Sequence, residues 1–128
     1  MGINPIQIRG RLLENAVATT LYLISRHNTE FRFYYWNENN REVDFVIKYK
    51  QQYEAVQVAY SVSAEKTRER EITSLLDCCK RLNLGSGEIV TMDYNGEELL
   101  DNISIKYMSA DEWIEKKLKE YGLSSAPR

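Results

Sequence analysis

An α/β domain, with one mixed sheet of about five strands and helices on both faces, is the fold class this sequence predicts. Two observations carry that prediction. Apolar residues recur at helical spacing in three separated stretches. Between the first two lie three runs rich in β-branched and aromatic residues, joined by short polar turns, which is the pattern of an antiparallel meander. A meander followed by a helical crossover and further strands closes into a single sheet covered on both sides. The predicted order is α-β-β-β-α-β-β-α.

Each element has its own warrant. Residues 6–26 place Leu13, Val17, Leu21 and Ile24 on one helical face, with Ala16 beside them. Pro5 suits a first helical position, and Gly10 weakens the first turn. Residues 31–36 form an aromatic strand, and Asn37-Glu38-Asn39-Asn40 turns the chain into a second strand at 42–48. After Lys50-Gln51-Gln52 a third strand spans 53–60. Residues 65–82 form a second helix with the stripe Ile72, Leu75, Leu76, Cys79 and Leu82, stopped by Gly85-Ser86-Gly87. That glycine pair lacks the lysine and the following helix of a phosphate loop, so it reads as a turn. Strands at 88–92 and 103–108 flank the turn Tyr94-Asn95-Gly96-Glu97. Ser109 and Glu112 have capping-box spacing at the head of a last helix, which Trp113, Ile114 and Leu118 pack down. Residues 124–128 should fray.

Composition narrows the function classes. The 128 residues suit one domain, with an ordered core expected over residues 5–123. No apolar run reaches the ~18 residues that span a membrane, and the N-terminus has no signal-peptide pattern. A cytoplasmic domain without membrane partners is expected. The net charge of −2 argues against a strong sequence-independent grip on nucleic acid, though not against a local patch. Adjacent Cys78 and Cys79 suit neither a disulfide nor a zinc site, and read as buried thiols. His27, the only histidine, suits the negative C-terminal end of the first helix.

The residues with chemical potential lie in the middle. On an alternating strand Glu42, Asp44, Val46 and Lys48 share one face, and Val43, Phe45 and Ile47 the other. Asp44 has apolar neighbours, and an unpartnered buried carboxylate is costly. It needs a metal, a base such as Arg11 or Arg41, or backbone donors. Gln57 and Ala59 share a face of the third strand, and Asp44 and Gln57 point into one shallow site if the strands pair in register. Glu14 can reach that site from the first helix. Ordinary structural roles remain open for each: a solvated helix carboxylate at Glu14, a paired acid at Asp44, a satisfied strand amide at Gln57. The aromatic run Phe33-Tyr34-Tyr35-Trp36 reads as strand core and sheet surface rather than a base-stacking platform. The mixed-sign run from Glu65 to Glu71 reads as a solvated helix face.

The run Gly10-Arg11-Leu12-Leu13-Glu14-Asn15, then Tyr34-Tyr35-Trp36, Glu42-Val43-Asp44-Phe45-Val46-Ile47 and Val56-Gln57-Val58, resembles the C-terminal domain of a large group of prokaryotic AAA-type ATPases. That domain is similar to the PD-(D/E)XK, restriction-endonuclease-like nuclease superfamily. The resemblance implies a restriction-endonuclease-like core. It also implies an ATPase part, with its ATP, upstream of a chain that has no Gly-x-x-x-x-Gly-Lys-Ser/Thr of its own. It gives Glu14 and Asp44 the role of magnesium-binding acids, helped by the backbone carbonyl of Val58. Gln57 stands where a second strand acid belongs, and Ala59 where a water-activating lysine belongs.

Those two departures matter. A glutamine lacks the charge that offsets magnesium's dehydration, and alanine offers nothing to the attacking water or the phosphate. Losing one such group commonly costs ~10²–10³-fold in rate. Lys48 lies about 13 Å along the strand from Asp44, so Lys66 and Arg68 are the better candidates for a relocated base. Three functions follow. The first is a nuclease-like accessory domain of an AAA-type ATPase with a degenerate site, used for contact with DNA, with protein or with the rest of its own chain. The second is an active magnesium-dependent DNA nuclease. The third is a purely structural assembly domain, for which a homo-oligomer is conceivable. Gln57 and Ala59 favour the first and third.

Overall fold

The computed structural model describes residues 5–61 and 65–122. The elements are α1 (Pro5–His27), β1 (Phe31–Glu38), β2 (Arg41–Tyr49), β3 (Gln52–Val58), α2 (Glu65–Arg81), β4 (Ser86–Thr91), β5 (Gly96–Leu100), β6 (Ile103–Ser109) and α3 (Ala110–Glu120). The strands form one mixed sheet in the order β1-β2-β3-β4-β6-β5. Its β1-β2-β3 half is an antiparallel meander. The crossover through α2 makes β4 parallel to β3, and β6 is parallel to β4. Among the described residues no helix is long and apolar enough to cross a membrane. The tail expected to fray, residues 124–128, lies outside the described residues.

The sheet has six strands rather than about five, so the order is α-β-β-β-α-β-β-β-α. The added strand is β5, part of which reads in the sequence as a turn. Glu97 and Glu98 give it little strand propensity. It forms because Asp101 and Asn102, at φ of 52° and 64°, make the left-handed two-residue turn that folds it back antiparallel onto β6. Asn39 and Asn40, at φ of 53° and 63°, make the same kind of turn between β1 and β2.

Helices cover both faces. Leu13, Val17, Leu21 and Ile24 of α1 are buried with Ala110 and Trp113 of α3 on one face. Ile72, Leu75, Cys78 and Cys79 of α2 are buried on the other. Both cysteines are free, and burial pushes their thiols up, Cys78 to about 12 and Cys79 to about 11. Ser109 does occupy the N-cap of α3 with extended backbone angles, but its side chain makes no capping bond. Its N–H instead donates to Asn95 Oδ1 at 3.0 Å.

The simple alternation expected for β2 fails at one point. Val43 and Val46 share the α2-side core, while Phe45 and Ile47 face α1 and α3. The cause is a β-bulge. Tyr34 pairs with Val46 and Trp36 with Val43, so Asp44 and Phe45 stand opposite the single Tyr35. One extra residue reverses the facing of every position beyond it.

α3 is tied to the sheet by charge as well as by apolar contact. The ammonium of Lys117, 1% exposed, pairs with Glu54, with Glu88 at 3.2 Å and with Glu120 at 3.4 Å. Trp113 Nε1–H donates to Glu88 at 3.0 Å, and the Tyr121 hydroxyl donates to Glu54. Burial alone would raise the Glu88 carboxyl. Lys117, Trp113 and Lys116 outweigh it and hold that carboxyl below its ordinary range.

Candidate functional site

The β2–β3 ladder ends at Phe45 opposite Val56, level with the bulge. Beyond that point side chains replace the ladder. Gln57 Oε1 accepts the Asp44 N–H at 2.9 Å, and Asp44 Oδ2 accepts the Val58 N–H at 2.8 Å. Gln57 Nε2 donates to the Glu42 carbonyl at 3.1 Å and the Glu71 carbonyl at 3.3 Å. Gln57 is 2% exposed, so its amide works as a buried clip that joins β2, β3 and α2.

An acidic cluster surrounds the clip. Asp44 is half-buried, and burial pushes its carboxyl up to about 6. The Val58 N–H opposes that shift, while the charges of Glu14 and Glu42 add to it. Glu71 rises to about 7, through burial first and then Asp44, against the pull of Arg70 and with small additions from Glu14 and Glu42. The Tyr35 hydroxyl, opposite the bulge, is raised to about 12, first by the Glu42 carboxylate beside it. The cluster therefore gathers carboxylates from α1, β2 and α2, and two of its members, Asp44 and Glu71, bind their protons more tightly than free carboxyls do.

The residues singled out in the sequence come together unevenly. Glu14 is exposed on α1 and touches the cluster through its charge. Asp44 is central, and backbone N–H takes the place of the basic partner expected for it. Among the described residues neither Arg11 nor Arg41 pairs with it. Ala59 is buried in the α2-side core, and its N–H donates to the Val90 carbonyl at 2.9 Å. Val58 meets the cluster through its N–H. Lys48 stacks over the Tyr53 ring at 5.7 Å, and Arg68 bonds Glu98 at 2.7 Å, so neither relocates into the site.

Glu71 and the Tyr35–Glu42 contact are absent from the sequence reading. Glu71 sits inside the mixed-charge run taken for a solvated face. Its helical phase is the signal that marks it, because Leu75 and Cys78 follow at i+4 and i+7 and are buried.

Backbone groups already engage part of the oxygen set that magnesium would use. One Asp44 oxygen holds Val58 N–H, and the Gln57 oxygen holds Asp44 N–H. Among the described residues no three His, Cys, Asp or Glu side chains converge closely enough to hold a metal ion.

The raised carboxyls set a pH dependence. Asp44 and Glu71 bind protons more tightly folded than at their ordinary values of 3.8 and 4.5. Stability from this pair is full below about pH 4 and is lost as pH rises through 6 to 7. The double substitution Asp44→Asn with Glu71→Gln keeps an acceptor for Val58 N–H and removes both charges. It should gain about 2 kcal/mol at pH 8 and little at pH 4. Urea midpoints at the two pH values check this, and a variant as pH-dependent as the parent would refute the assignment.

Comparison with known proteins places the chain. A search of curated proteins finds no match. The family model described as "Domain of unknown function (DUF4143)" matches residues 9–110, from the turn of α1 before Glu14 to the first residue of α3. That span contains the bulge, the clip and every member of the acidic cluster, and the chain belongs to the DUF4143 family.

Proposed function

We propose that this domain is a nuclease-like accessory module of an AAA-type ATPase, with a restriction-endonuclease-like core and a degenerate site, and that it works by contact rather than cleavage. The observation that carries this reading is Gln57. At the position of the second strand acid its amide is consumed by three backbone groups, and the Ala59 methyl lies in the core where a lysine would have to emerge. What remains is a crowd of carboxylates, with Asp44 and Glu71 raised by burial and by neighbouring acids, a poor environment for a hydroxide or a phosphate.

A contact role also has surface to use. Ile8, Leu12 and Leu23 on the outer side of α1 are exposed, Leu12 at 61%. Beside them a groove of about 400 Å³ runs between α1 and α3, lined by Leu12, Leu13, Ala16, Met92 and Ile114 among others. An apolar groove of this kind favours a protein partner, with the rest of an ATPase chain as one such partner.

Plasmid DNA with Mg²⁺ or Mn²⁺ tests the reading on three proteins: the chain itself, Asp44→Ala, and Gln57→Glu with Ala59→Lys. The chain and Asp44→Ala should leave the plasmid intact. Cleavage gained by the double variant would support chemistry lost from an intact frame. Cleavage by the chain that disappears in Asp44→Ala would overturn the proposal.

A further inference from the structure

Two arginine–glutamate pairs flank the acidic cluster, Arg41-Glu42 on β2 and Arg70-Glu71 on α2. On β2 acid and base part company, and on α2 they stay in touch only at 3.9 Å. Glu42 and Glu71 act on the cluster around Asp44. Arg41 and Arg70 instead line an open cavity of about 670 Å³ between the β1–β2 turn and the first half of α2. Lys66 lines it too, with Thr73 and Ser74, and among the described residues Glu69 is the one carboxylate there. The left-handed Asn39–Asn40 turn forms its rim.

Among the described residues three cations thus face one acid, in a chain whose net charge is −2. Among the described residues neither Arg41 nor Lys66 forms an ion pair. Arg70 meets Glu71 only at 3.9 Å. Gathering like charges in one concavity costs energy that an anion recovers.

We propose that this cavity binds a phosphate group. Guanidinium forks and hydroxyl donors at one concave surface match the acceptor oxygens of a tetrahedral oxyanion, and a third cation offsets its second charge. The neighbouring carboxylates restrict how that phosphate is presented. A polyanion extending toward Asp44 meets Glu42 and Glu71, whereas a terminal phosphate monoester does not. The ligand is therefore a phosphate end, supplied by a nucleoside monophosphate or by the 5′ terminus of a nucleic acid. This inference stands independently of the nuclease-like reading, since it uses neither Asp44 nor Gln57.

Calorimetric titration of the whole chain tests it, with AMP and with a short single-stranded oligonucleotide carrying or lacking a 5′-phosphate. Saturable, salt-sensitive binding that requires the phosphate is expected. It should weaken about tenfold or more in Arg41→Gln and in Arg70→Gln. Arg26→Gln on α1 should leave it unchanged, and urea midpoints confirm that each variant folds. Binding of AMP assigns the site to a small nucleotide, and binding of the phosphorylated oligonucleotide alone assigns it to a nucleic-acid end. Equal binding of the unphosphorylated oligonucleotide, no binding by any probe, or affinity unchanged in both arginine variants overturns the proposal.

Discussion

Gln57→Leu is expected to lower folding stability by about 3 kcal/mol or more, because each of three backbone groups loses its buried partner. The Asp44 N–H loses its acceptor, and the Glu42 and Glu71 carbonyls lose their donor. The thermal midpoint should fall by on the order of 10 °C. Gln57→Glu is the sharper test. It keeps the size and an acceptor for Asp44 N–H, yet removes both amide donors and points a carboxylate at two carbonyl oxygens beside Asp44 and Glu71. Its loss should exceed that of a simple donor deletion at pH 8 and shrink at pH 5, where the added acid takes a proton. Urea denaturation at the two pH values measures this. An unchanged midpoint in Gln57→Leu would show that the amide is no clip. The outcome bears on function, since it tells whether the frame still has room for an acid at this position.

Lys117→Met should cost about 3–5 kcal/mol, the penalty for leaving a buried carboxylate without its cation. Glu54 loses its ammonium partner, and Glu88 loses the nearer of two and keeps Lys116 at 3.5 Å. The pH dependence separates this from a packing loss. In the parent, Glu88 lies below its ordinary value of 4.5, so its contribution is present above that value and is lost as pH falls through the lowered one. Without Lys117, Glu88 keeps only Lys116 and Trp113 against its burial, and its carboxyl moves up from the lowered value. The defect is then largest at neutral pH and smaller in acid. Adding Glu88→Gln to Lys117→Met should recover part of the loss at pH 7.5. Denaturant midpoints of the two variants decide it, and a defect independent of pH would point to lost packing instead.

The contrast between these two sites shows what a sequence makes legible. The core faces of α1 and α2 were legible because a 3.6-residue period leaves a stripe that no turn or charge interrupts. The meander was legible because Asn-Asn and Lys-Gln-Gln break three apolar runs. β5 was not. Its Glu97 and Glu98 read as loop, and only the ladder with β6, together with Arg68 and Ser104 on those carboxylates, makes a strand of them. Lys117 has no place in the sequence reading, and the approach of β3 and β4 is what buries it.

The sequence by itself determined the α/β class, the helices on opposite faces, and the residues at issue: Glu14, Asp44, Gln57 and Ala59. The class and the helix faces follow from local periodicity, a property of neighbours along the chain, and the four residues were singled out by residue type together with the family resemblance. The tertiary structure alone decided what those residues do to one another. A one-residue bulge reverses the facing of β2, ends the ladder at Asp44, and leaves the Gln57 amide and the Asp44 carboxylate to close the gap. It also brings Glu71 in from a helix that reads as solvated. Hydrogen-bond partners and burial depend on where distant segments meet, and one inserted residue in a strand changes both without leaving a mark on the periodicity that a sequence displays.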